Sequence, residues 1–289
     1  MEPILEVCGL SKTYPGFSLK DISFSLPEGC ITGLIGRNGA GKTTILRAIL
    51  GLMPADSGTV RFFYTESPET GTRPGRAVRE RLGIVLDGGG FYGDFSLEEM
   101  KNLTAAAYPS WDEDEYRRYL DRFSLRSRQK IRTLSKGMQM QYALALALSH
   151  HAEFLILDEP TSGLDPLIRA GILELLKEFM ENGGRGVLFS THITSDLDKI
   201  ADLLILMDGG RLVFQEEKDL LLDRFRVVKG DPRDLNPAVE PLLGGITQTA
   251  FGFTAVTKQP DRLRALLPDC LLERPSIEDI MLHYLKGGK

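Results

Sequence analysis

The sequence predicts an α/β protein built on a largely parallel sheet with helices on both faces, and two observations carry that expectation. Short apolar runs at 30–35, 82–86, 154–157, 187–189 and 203–207 read as buried strands. The segments between them carry helical period, the alternation that places helices over a parallel sheet. The length of 289 residues divided by a typical domain of roughly 150 allows about two domains, or one large α/β domain with an extension.

The elements can be taken in chain order. After the first apolar run, Ile45, Leu46, Ile49 and Leu50 face inward on a helix that opens at about position 42. Tyr116, Tyr119, Leu120 and Phe123 fall at i, i+3, i+4 and i+7, the stripe of an amphipathic helix inside a long insertion at about 91–150. Asp165 as N-cap and Pro166 at the first helical position start another helix, which carries Ile168, Ile172, Leu175, Leu176 and Phe179 and stops near Asn182-Gly183-Gly184. Beyond about Phe214 the pattern changes, so 1–214 reads as the main domain and 215–289 as an accessory region without a chemical motif. It ends in a helix with Ile277, Ile280, Met281, Tyr284 and Leu285 on one face, and Ser276 with Asp279 forms its expected capping box. No internal repeat is present, which excludes a solenoid or a duplicated core.

Composition narrows the function classes. Hydrophobic residues at 42% and charged residues at 26% exclude wholesale disorder, and a net charge of −5 gives the whole molecule no electrostatic reason to seek a nucleic acid. Cys8, Cys30 and Cys270 form no C-x-x-C pair and no disulfide framework, which suits a reducing, cytoplasmic compartment. The first ten residues, with Glu2 and Glu6 and no basic cluster, do not read as a signal peptide. The longest apolar stretch, 142–148, is far short of the roughly 18 residues a membrane span needs. Service to a membrane would therefore go through another subunit.

One motif carries the chemistry. Gly36-Arg37-Asn38-Gly39-Ala40-Gly41-Lys42-Thr43 fits G-x-x-x-x-G-K-[ST], comes after an expected strand and opens an expected helix. Glycines let backbone N–H groups curl around phosphate oxygens, Lys42 brings charge to the β and γ phosphates, and Thr43 offers a hydroxyl to Mg²⁺. Asn38, Gly39, Ala40, Gly41, Lys42, Thr43 and Thr44 are accordingly the candidate nucleotide contacts. Phe154-Leu155-Ile156-Leu157-Asp158-Glu159 ends an apolar strand in two carboxylates, Asp158 for Mg²⁺ and Glu159 to polarise an attacking water.

With these residues in order, the stretch 10–208 resembles the ATP-binding subunits of ABC transporters. Leu134-Ser135-Lys136-Gly137-Met138-Gln139 is similar to the family signature, Ser162-Gly163-Leu164-Asp165 to its D-loop and Ser190-Thr191-His192 to its switch histidine. The resemblance implies a P-loop NTPase core with an N-terminal antiparallel β region, and ATP and Mg²⁺ as cofactors. It implies that Tyr14 stacks on adenine and that His192 contacts the γ-phosphate and orients water. Catalysis is thus assigned to Glu159, His192 and Lys42, and metal binding to Thr43, Asp158 and Asp87. Ser135 caps the helix after it and, with Gly137, is expected to meet the nucleotide of a second subunit, so that two ATP molecules are sandwiched in a homodimer or heterodimer.

Two departures stand out. Asp87 replaces the usual glutamine in Leu82-Gly83-Ile84-Val85-Leu86-Asp87-Gly88-Gly89-Gly90, so an amide donor is lost and a carboxylate gained. Lys136 and Met138 replace a glycine and a glutamine of the signature, where backbone N–H groups remain. The stretch 91–101, with Tyr108-Pro109-Ser110-Trp111-Asp112, is similar to a branch of bacterial exporters whose membrane subunits are separate polypeptides. The expected partner is therefore a separate transmembrane permease, with this chain peripheral at the inner face of the cell membrane. Arg117, Arg118, Arg122, Arg126, Arg128, Lys130 and Arg132 against Asp121 read first as a solvated face and second as contact with an acidic or lipid-headgroup surface. His150-His151 stands too far from other ligands for a metal site.

The alternatives are an ABC-class ATPase acting on ribosomes or DNA, and another P-loop enzyme. The former commonly has two cores or a long coiled coil, neither of which the chain carries. A GTPase would need an N-K-x-D motif, which is absent, and a kinase would not need signature, D-loop and histidine together.

Overall fold

The computed structural model describes residues 3–64, 73–88 and 90–286; Glu2 and Gly89 lie outside them. The chain opens with β1 (Pro3–Tyr14) and β2 (Phe17–Pro27), then β3 (Ile31–Ile35), α1 (Lys42–Ile49) and β4 (Ser57–Phe62). Next come α2 (Arg76–Glu80), β5 (Leu82–Val85), α3 (Leu97–Ala105), α4 (Glu113–Arg122), α5 (Lys136–Leu148) and β6 (Phe154–Asp158). Then follow α6 (Pro166–Met180), β7 (Gly186–Thr191), α7 (Thr194–Ile200), β8 (Leu203–Asp208) and β9 (Arg211–Glu217). The remainder holds α8 (Lys218–Arg224), β10 (Arg226–Gly230), β11 (Gly244–Gln248), β12 (Phe253–Thr257), α9 (Pro260–Leu266), β13 (Leu271–Glu273) and α10 (Ile277–Leu285).

The five apolar runs form one sheet in the order β5-β6-β7-β3-β8-β9, parallel except for β9, which returns antiparallel against β8. β3, β6 and β7 are buried at every residue because each is flanked by strands and covered on both faces, which is why their sequences are apolar without alternation. The N-terminal strands form a separate antiparallel sheet, β2-β1-β4. There Ile22, Phe24 and Leu26 alternate inward with exposed neighbours, and the sheet closes over α1 through Ile45, Leu46 and Ile49 in a shared core.

The insertion at 91–150 is helical and has its own apolar centre of Leu97, Tyr116, Leu120, Leu125, Ile131, Leu134, Tyr142 and Leu146. The Tyr142 hydroxyl, buried there, donates to Leu97 O at 2.7 Å and so ties α5 to the start of α3. Asp112 caps α4 by accepting from Glu115 N, and Ser96 with Glu99 makes a capping box on α3.

The boundary expected at Phe214 falls inside β9, whose edge pairing with β8 runs on to Glu217. The accessory region beyond it contains a four-stranded antiparallel sheet, β11-β12-β10-β13, with a small core of Val228, Val239, Leu242, Phe253, Ala255, Leu263 and Leu267. Its last helix, α10, carries the Ser276–Asp279 capping box and packs on α7, where Ile277 and Ile280 join Leu197 and Ile200 in the main core.

Candidate active site

The phosphate-binding motif occupies the turn between β3 and α1, at the carboxyl end of the sheet. Two of its glycines are dictated by close approach. A Cβ on Gly36 would lie 2.4 Å from the Met207 carbonyl, and Gly41 holds φ +106° where a Cβ would lie 2.8 Å from the Phe17 ring. Gly41 stands at the N-cap without a side-chain cap, and Ile45 N makes the first i→i−4 bond back to its carbonyl. The N–H groups of Lys42, Thr43 and Thr44 therefore precede the ladder and point out of the helix end, where an anion finds both donors and the positive end of the dipole.

Lys42 is buried, and its ammonium donates to Gly36 O at 2.9 Å and stands 3.5 Å from Glu159 Oε1. Glu159 comes directly after the last residue of β6 with φ +51°, a left-handed conformation uncommon for a residue with a Cβ, held by its N–H donating to Ser190 O at 3.0 Å. Its other oxygen, Oε2, lies 2.8 Å from His192 Nδ1. Lys42, Glu159 and His192, which arrive on three separate segments, thus form one contiguous row.

Asp158 is 0% exposed. Its Oδ2 accepts from Thr43 Oγ1 at 2.8 Å and its Oδ1 from the Ser190 hydroxyl, and among the described residues no cation pairs with it. A buried carboxylate satisfied only by neutral hydroxyls is an environment that favours an added cation. Among the described residues no group of three or more His, Cys, Asp or Glu side chains is arranged to hold a metal alone. The donor set instead fits Mg²⁺, which keeps several waters and is held by one or two carboxylates together with substrate phosphates.

These groups surround an open cavity of about 620 Å³, walled by Phe17, Arg37, Asn38, Gly39, Gly41, Lys42, Thr43, Thr44, Asp87, Glu159, Ser162 and His192. Asp87 reaches this wall from the end of β5, without an ion-pair partner among the described residues.

Five expected residues lie outside that wall, one of them the buried Asp158 described above. The Tyr14 ring is outside the wall, with its hydroxyl turned to the Met53 thioether and Lys12 Nζ 5.7 Å from its centroid; Phe17, paired with Tyr14 across the β1–β2 turn, lines the cavity instead. Ala40 turns its methyl into the apolar core beneath the loop. Ser135 caps α5 by accepting from Met138 N, and Gly137 is buried against Ile168, so that neither reaches the cavity of its own chain.

Phe17, Arg37 and Ser162 were not assigned from the sequence. Arg37 was detectable as a cation in a variable position of the phosphate motif. Phe17 sends no such signal, because only the closing of the N-terminal hairpin over Gly41 brings it there. Ser162 reaches the wall through a turn in which its N–H donates to Glu159 O at 3.2 Å.

The chain is similar to known proteins. The family model described as ABC transporter matches residues 19–162. The chain is 31% identical to a Nod factor export ATP-binding protein I of Sinorhizobium fredii, over 96% of this chain and 84% of that one. It is 32% identical to the bacitracin transport ATP-binding protein BcrA of Enterococcus faecalis, over 74% of this chain and 69% of that one. A solved structure described as the ATP-binding subunit of an ABC transporter superposes with a TM-score of 0.66 at 30% identity, covering 76% of this chain and 92% of that one.

Proposed function

The chain belongs to the ABC transporter family as an ATP-binding, ATP-hydrolysing subunit, and on that premise we propose that it powers an exporter through a separate membrane-spanning partner. The observation that carries the reading is the row of Lys42, Glu159 and His192 in the wall of one cavity, beside Thr43 and the buried Asp158 bonded to it. No helix among the described residues is long and apolar enough to cross a membrane.

The N–H groups at the start of α1 and the Lys42 ammonium bind the phosphates, with Asn38, Gly39 and Thr44 along the same wall. Thr43, Asp158 and Asp87 would hold Mg²⁺, which when bound would supply positive charge to the phosphate oxygens. Glu159 accepts a proton from the attacking water, and His192 holds the carboxylate in register and meets the γ-phosphate. The base extends towards the β1–β2 turn, past Phe17 to Tyr14, a residue 37% exposed that stacks on it.

Ser135 and Gly137 complete the site of a second subunit, either an identical copy or a related ATP-binding chain. Their distance from the cavity of their own chain supports that division of labour, as does the exposed N-terminus of α5. The name of the Nod factor relative supports export, and that of the bacitracin relative supports transport. A test places cysteines at Asn38 and Lys136 in a Cys8→Ser, Glu159→Gln background. ATP with Mg²⁺ should give an intermolecular disulfide between the two positions, and the protein should co-purify with a membrane subunit. Absence of crosslinking at saturating ATP, with both an identical copy and any co-purifying ATP-binding chain, overturns the composite site.

A further inference from the structure

We infer that Asp196 is a positioning residue for the Glu159–His192 pair, an inference that rests on reading these two as the hydrolytic pair. Asp196 lies on α7, four residues after His192, and is 0% exposed. Its Oδ2 accepts from Thr161 Oγ1 at 2.6 Å, and Thr161 lies two residues after Glu159. Its Oδ1 accepts from Arg169 Nε at 2.5 Å, and the same guanidinium donates through Nη2 to Ser195 Oγ at 2.7 Å. One carboxylate therefore joins the turn after Glu159, the first turns of α6 and the first turn of α7.

The chemistry makes this joint stiff. A fully buried carboxylate is tolerable only while its charged and hydroxyl donors stay in place, so the three segments are held to one arrangement. α7 is also held against the sheet, since the Leu197 side chain packs directly on Gly33 of β3, where a Cβ would lie 2.6 Å from it. The 2.8 Å contact between His192 and Glu159 spans two loops, and a displacement of about 1 Å at either is enough to break it. Asp196 and Thr161 set the spacing of those loops without touching the cavity wall.

The test uses the full chain with Thr161→Val, which keeps the shape and removes the hydroxyl donor, and Asp196→Ala, which removes both acceptor oxygens. Expected for both is ATP affinity within about twofold of the parent by calorimetry and a kcat lower by roughly tenfold. The double variant should be no slower than Asp196→Ala alone, because the alanine already leaves Thr161 without its acceptor. In a Glu159→Gln background, Thr161→Val should leave the residual rate unchanged, which a general loss of structure would not do. Turnover equal to the parent in Thr161→Val, measured well below its melting temperature, overturns the inference even if stability falls. A parent chain that binds ATP without hydrolysing it overturns the hydrolytic reading, and the inference with it.

Discussion

The imidazole Nδ1 of His192 stands 2.8 Å from Glu159 Oε2, while the opposite oxygen of the same carboxylate faces the Lys42 ammonium at 3.5 Å. Glu159 is thus held from both sides with its backbone in a left-handed conformation. Glu159→Gln keeps the shape and can still hydrogen-bond His192, but it cannot take a proton. Phosphate release should fall by about 10²–10⁴-fold, while calorimetry finds ATP affinity retained.

Thr43 and Asp158 are joined by a 2.8 Å hydrogen bond inside the protein. Thr43→Val removes the hydroxyl and leaves a buried carboxylate oxygen without its donor, which costs about 1–3 kcal/mol. Urea denaturation without nucleotide should register that loss. Mg²⁺ should also enhance ATP binding less in this variant than in the parent.

Acid should weaken the fold through His150. This residue is 2% exposed, stacks on Tyr108 with centroids 3.8 Å apart, and leaves Nδ1 without a partner among the described residues. Burial pushes its pKa down to about 4 from 6.5. Above 6.5 the ring is neutral in both the folded and unfolded chain and costs nothing. Between 6.5 and about 4 the unfolded chain takes up a proton that the folded chain refuses, so stability falls with pH by on the order of 3 kcal/mol. Denaturation midpoints tracked from pH 7 to about 4.5 should decline, and His150→Phe should flatten that decline.

Gly137 at the start of α5 is small because Ile168 of α6 fills the adjacent space: a Cβ there would lie 2.6 Å from Ile168 Cδ1. Gly137→Ala should destabilise by about 1 kcal/mol through overpacking. The same change in an Ile168→Val background, where that methyl is gone, should cost measurably less. Equal costs in both backgrounds, read by chemical denaturation, would remove Ile168 as the reason for glycine.

Much of the site was legible in the order of residues because its signals are local. The turn from β3 into α1 needs its glycines and lysine within one short segment, and the caps Ser135, Asp165 and Ser276 each bond an N–H two or three residues away. The strands of the parallel sheet are readable for the same reason, since a strand covered on both faces must be apolar throughout.

Contacts between distant segments were not legible. Seven basic residues between Arg117 and Arg132 stand in sequence against Asp121 alone, yet folding pairs Arg122 with Glu178 of α6, Lys130 with Glu99 of α3 and Arg132 with Asp94. Arg117 and Arg118 pair with acidic residues one turn earlier on α4, and Arg126 and Arg128 remain without an ion-pair partner among the described residues. Phe17 at the cavity and Asp196 beneath it obey the same rule.

By itself, then, the sequence determined the phosphate loop, the carboxylates that end β6 and the alternation of strand and helix. Each depends on backbone conformation and burial over a few neighbouring residues. Only the tertiary structure decided that Phe17 rather than Tyr14 walls the cavity, that Gly137 answers to Ile168 and that Asp196 joins Thr161 to Arg169. Those depend on which segments the sheet order brings together, and short-range patterns carry no record of that.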